Sequence, residues 1–106
     1  MVVEPDRTSI VPQPSTARTA SVVLENEVGL HARPSIKLTQ LAKRFSSTIE
    51  FALEPEGPWT DAKSPVKVMR VKAPKGSVLH FRTEGGDAEG ALRAILALVA
   101  EKFGED

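Results

Sequence analysis

The spacing of apolar residues changes several times along this chain, and each change marks an element. From Ala20, SVVL is a short run of β-branched residues and predicts a strand. Leu38, Leu41, Ala42 and Phe45 then recur at three- and four-residue spacing, one face of a helix, with Lys37, Lys43 and Arg44 largely on the other. STIEFAL alternates, placing Ile49, Phe51 and Leu53 on one side of a strand. EPEGP reads as a turn and WTDA as a short strand closing a hairpin. In SPVKVMRV, Ser64 is a good helix N-cap and Pro65 suits the first helical position, where a missing N–H has no helical partner to lose. A short helix to about Val71 follows, and APKG breaks it. SVLHFRT alternates again, with Val78, His80 and Arg82 on one side and Leu79, Phe81 and Thr83 on the other. After a Gly-Gly turn, Asp87 is positioned to cap a last helix whose apolar face is Ala91, Leu92, Ile95, Leu98, Val99 and Phe103.

The predicted order is strand, helix, strand, strand, short helix, strand, helix. The connections are too short for a wholly parallel sheet. The fold class is therefore α+β, an antiparallel sheet with helices on one face. Residues 1–18 hold three prolines among Ser, Thr and charged residues and read as a disordered arm. That segment lacks a basic start and a continuous apolar stretch, so it does not read as a secretory signal, and no apolar run in the chain spans a bilayer. The expected location is the cytoplasm.

At 106 residues the chain suits one core. It has no cysteine, which excludes disulfides, cysteine-ligated metal and a thiol nucleophile. The formal net charge is zero, yet the charges are segregated. No acid lies between Val28 and Ile49, where Arg33, Lys37, Lys43 and Arg44 occur. None lies between Ala62 and Val78, where Lys63, Lys67, Arg70, Lys72 and Lys75 occur. Side by side, these segments make a positive face suited to an acidic partner. Apart, they are two solvated helix surfaces.

The candidate chemistry is at GLHARPS, residues 29–35. His31 stands where the first helix begins. The first N–H groups of a helix lack internal acceptors and carry the positive end of its dipole, so they form an anion site. Gly29 permits a tight turn, Pro34 fits the first turn of the helix, and the Arg33 guanidinium matches phosphate oxygens. Phosphoryl transfer onto the ring fits this pattern. Neutral imidazole is a nucleophile, and the helix start with Arg33 stabilises the charge that arrives. The residues alone leave a second role open, a histidine that caps the helix or fills a loop. A metal site does not fit: His80 is the only other histidine and no acid lies near His31 in sequence.

Asn26 to Ser35, N-x-x-GLHARPS, resembles the active-site motif of HPr, the histidine-containing phosphocarrier family of the phosphoenolpyruvate-dependent phosphotransferase system. Phe45–x3–Ile49, AKS at 62–64, an apolar segment ending near Met69, KG at 75–76, EGGD at 84–87 and the final helix follow in the family's order, over about residues 20 to 103. The resemblance implies an open-faced β-sandwich of βαββαβα order, with a four-stranded antiparallel sheet, over residues 19–106. It implies a carrier without cofactor or metal, not a self-sufficient enzyme. His31 would accept a phosphoryl group at the δ nitrogen from phosphorylated enzyme I and pass it to an enzyme IIA domain in sugar uptake and its regulation. Arg33, with the backbone of Ala32 and Arg33, would hold the phosphoryl group, and partners would dock on the first helix and the short one. Ser64 falls at the family's second, regulatory phosphorylation site, the target of an HPr kinase/phosphorylase, but Pro65 stands where the family has an aliphatic residue. The loop EPEGPW is longer than in common members and is expected to lie away from the motif.

Other functions use the same features. A carrier of the nitrogen-related phosphotransferase branch would employ His31 with different clients, and a binding-only regulator would keep the fold with idle chemistry. An RNA-binding module shares the element order, but this chain has no tyrosine and no aromatic cluster for base stacking. A monomer without nucleic-acid or membrane partners is expected.

Overall fold

A computed structural model of the chain describes residues 17–104. The elements are β1 (Ala17–Val23), α1 (Ala32–Ala42), β2 (Thr48–Ala52), β3 (Thr60–Asp61), α2 (Pro65–Val71), β4 (Val78–Glu84) and α3 (Ala88–Ala100), then a 3-10 turn at Lys102–Gly104. This is the βαββαβα order, and the four strands form one antiparallel sheet ordered β1-β4-β2-β3. β1 starts at Ala17, earlier than the SVVL run marks, because ARTA continues the pairing with Glu84 to Phe81. Except for Ala17 and Arg18, the arm expected over residues 1–18 lies outside the described residues.

The register explains the core. Val22 is opposite Leu79, Ala20 opposite Phe81, Phe51 opposite Phe81, and Ile49 opposite Thr83, so one face of the sheet is apolar. Phe51 and Phe81 are fully buried, with ring centroids 5.7 Å apart. α1 and α3 cover this face with Leu38, Ala42, Ala91, Leu92, Ile95 and Val99, and α2 adds Val68. The opposite face is open. On it Val23 and Val78 are paired and exposed, Ser21 Oγ is 2.8 Å from His80 Nδ1, and Arg82 Nε donates to Glu50 at 2.7 Å. The EPEGPW loop returns across this face and sets Trp59 against the Arg82 guanidinium, 4.1 Å from the ring centroid.

Three local expectations change. β2 ends at Ala52, which is buried, and Leu53 turns outward instead of continuing the alternation of Ile49 and Phe51. α1 ends at Ala42, so Phe45 reaches the edge of the core from the following turn. Phe103 is buried as its spacing implies, yet not as part of α3: Lys102 and Phe103 adopt left-handed backbone, and the turn swings the ring inward. Lys37 Nζ donates to the Phe103 carbonyl at 2.7 Å and ties this turn to α1.

Candidate functional site

The loop that carries His31 is built against the loop between α2 and β4. Leu24 N–H donates to the Ser77 carbonyl at 2.8 Å, and Gly76 N–H to the Leu24 carbonyl at 2.7 Å. Leu30 N–H donates to the Ala73 carbonyl at 2.8 Å, and Lys75 Nζ pairs with Glu27 at 2.9 Å. Asn26 is fully buried and closes the turn: its Nδ2 donates to the Gly29 carbonyl at 2.7 Å while Gly29 N–H donates to the Asn26 carbonyl at 3.1 Å. Gly29 has φ +68°, and a Cβ there would stand 2.5 Å from the Ala73 carbonyl oxygen. Both the left-handed backbone and the close approach require glycine. The asparagine of the motif thus has a structural role that periodicity cannot reveal.

His31 follows in extended conformation, φ −98° and ψ −171°, at the N-cap of α1. Its carbonyl accepts from Ser35 N–H at 2.9 Å, which starts the helix. Its side chain makes no cap hydrogen bond, and the residue is exposed. The capping role left open by the sequence is therefore not how the ring is used. Pro34 has no N–H and Ser35 N–H donates to the His31 carbonyl, and the other backbone N–H groups of this first turn belong to Ala32 and Arg33. Arg33 is exposed beside them. The ring borders a cleft of about 560 Å³ lined by Val28, Leu30, Ala32, Met69, Lys72, Ala73 and Pro74. Val28 and Met69 are exposed apolar residues there.

α1 and α2 pack together, so the two basic segments are neighbours. Part of their charge is used internally: Lys63 Nζ donates to the Phe45 carbonyl at 2.7 Å and Lys37 to Phe103. Lys43, Arg44, Lys67, Arg70 and Lys72 are exposed. Ser64 is the N-cap of α2, its Oγ accepting from Lys67 N–H at 3.3 Å, with Pro65 at the helix start. It is partly buried and lies at the far end of α2 from the His31 cleft. Among the described residues no group of three or more His, Asp or Glu side chains is placed to hold a metal ion.

Residues 18–101 match the PTS-HPr family, the PTS HPr component phosphorylation site. The chain belongs to the HPr family. It is 46% identical over 80 residues to the phosphocarrier protein HPr of Cupriavidus necator, an alignment covering 76% of this chain and 88% of that protein. It is 38% identical over 95 residues to a multiphosphoryl transfer protein of Vibrio cholerae, covering 89% of this chain and 24% of the larger protein. Among solved structures, HPr-C-His from Thermoanaerobacter tengcongensis superposes with a TM-score of 0.77 at 35% identity, covering 84% of this chain and 98% of that one. The HPr fold is the open-faced α+β sandwich described above, and the chain is a phosphocarrier of the phosphotransferase system. Among the described residues no helix is long and apolar enough to cross a membrane.

Proposed function

We propose that His31 is the phosphoryl acceptor and that this chain relays a phosphoryl group from phosphorylated enzyme I to an enzyme IIA domain, in the cytoplasm. The observation that carries the reading is the exposed ring at the N-cap of α1, uncommitted to capping, beside the N–H groups of Ala32 and Arg33. A ring nitrogen lone pair attacks phosphorus, a P–N bond forms, and the bond from phosphorus to the donor breaks with its electron pair leaving on the donor. The Arg33 guanidinium and the helix start hold the phosphoryl oxygens through the transfer. The reverse sequence delivers the group to the client. Val28 and Met69 offer apolar contact around the ring, and the exposed cations of α1 and α2 favour acidic partners.

Ser64 is the candidate for a second, regulatory phosphorylation by an HPr kinase/phosphorylase. A phosphoryl group there adds negative charge to the docking face and opposes binding of an acidic partner.

The test is intact-protein mass after incubation with phosphoenolpyruvate and enzyme I, with His31→Ala alongside. One acid-labile phosphoryl group on the wild type and none on the variant is the expected result. A variant that is phosphorylated like the wild type removes His31 from the reaction, and a variant that fails to fold returns the residue to a structural role.

A further inference from the structure

We propose that Lys72 is a specificity-determining contact, an ammonium placed at the rim of the His31 cleft to meet an acidic surface of the phosphoryl-donor protein. The inference rests on the carrier reading of His31 and deepens it.

The first observation is conformational. Lys72 ends α2 with φ 54° and ψ 44°, the left-handed region. For an L residue this crowds Cβ against the following carbonyl oxygen, and the residue that ends a helix in this way is usually glycine. Lysine is therefore held here in a backbone state that glycine would occupy more easily. A strained residue beside a functional group is grounds for seeking what its side chain does.

The second observation is position. Lys72 lines the same cleft as His31, Ala32 and the exposed Val28. The third is the state of the charge. Lys37, Lys63 and Lys75 have their ammonium groups on the Phe103 carbonyl, the Phe45 carbonyl and Glu27. Among the described residues the Lys72 ammonium has no such partner, and the residue is exposed. A partner covering Val28 and Met69 would exclude water from this rim and strengthen any ion pair made there.

The experiment is the rate of phosphoryl transfer from phosphoenolpyruvate and enzyme I against carrier concentration, for wild type and for Lys72→Gly, Lys72→Gln and Lys72→Arg, at several ionic strengths. Glycine relieves the backbone, so Lys72→Gly is expected to melt at or above the wild-type temperature, which separates lost docking from lost folding. KM for the carrier is expected to rise roughly two- to fivefold in the Gly and Gln variants, the range of an exposed ion pair. Turnover at saturation holds, the dependence of KM on salt flattens, and Lys72→Arg restores both. An unchanged KM and salt dependence in Lys72→Gly overturns the proposal. If the wild type itself takes no phosphoryl group, the carrier reading fails and this inference with it. A normal wild-type rate with indifferent Lys72 variants overturns this inference alone.

Discussion

The carboxylate of Asp87 accepts from the backbone N–H groups of Ser46 and Ser47, at 3.0 and 2.9 Å, and from the Ser47 hydroxyl, so the start of α3 is bound to the turn that precedes β2. Asp87 occupies the N-cap position but makes no side-chain cap bond to its own helix. The Ser47 hydroxyl, then the Ser46 N–H, hold its carboxyl down at about 2, against an ordinary value of 3.8. A depressed folded-state value stabilises the fold above the unfolded value, and that contribution disappears as pH falls through the folded value. Asp87→Asn is therefore expected to lower the melting temperature, with the difference from wild type constant above about pH 4 and closing toward about pH 2. Thermal melts across that range check it. A difference independent of pH would assign the effect to something other than the carboxylate.

Gly29→Ala should both destabilise the fold and displace His31. The left-handed backbone alone costs an alanine about 1–2 kcal/mol. The contact of its Cβ with the Ala73 carbonyl forces the two site loops apart as well. Urea denaturation measures the first effect and the phosphorylation rate the second. Wild-type stability would mean that the loops separate without strain.

Arg33→Ala is expected to leave stability within about 0.5 kcal/mol of wild type, because the residue is exposed. Phosphoryl transfer should slow by roughly a hundred- to a thousandfold, the scale of a lost charge-stabilising donor. Rapid-quench kinetics separate the two. An unaltered rate removes Arg33 from the mechanism.

At Ser64 two substitutions divide capping from regulation. Ser64→Ala removes the side-chain acceptor for Lys67 N–H and should cost about 1 kcal/mol of stability. Ser64→Asp retains an acceptor but adds a negative charge, so it should fold well and raise KM toward enzyme I. Equal KM values for the two variants would leave Ser64 with its capping role only.

The order and type of the elements were legible in the residues because periodicity is a local property. Ile49 and Phe51 alternate, Ala91, Leu92, Ile95 and Val99 recur at helical spacing, and all of them are buried as those periods require. The start of α1 was legible for the same reason, since Gly29 allows a left-handed turn that other residues resist and Pro34 restricts its own backbone to the helical φ. Partner choice was not local. Asp87 at a helix start reads as a cap, yet its carboxylate goes to serines some forty residues earlier in the chain. Lys37 and Lys63 read as solvated charge, yet the fold brings backbone carbonyls to them. Phe103 lies on the apolar side of a helix by spacing and reaches the core through a left-handed turn instead. The sequence by itself determined the sheet, the helices and the position of His31 at a helix start. Only the tertiary structure decided that its ring is exposed and uncommitted, that Asn26 and Gly29 lock its loop against Ala73, and that Lys72 shares its cleft. Spacing along a chain specifies which face a residue takes, whereas what it meets there depends on segments that only packing brings together.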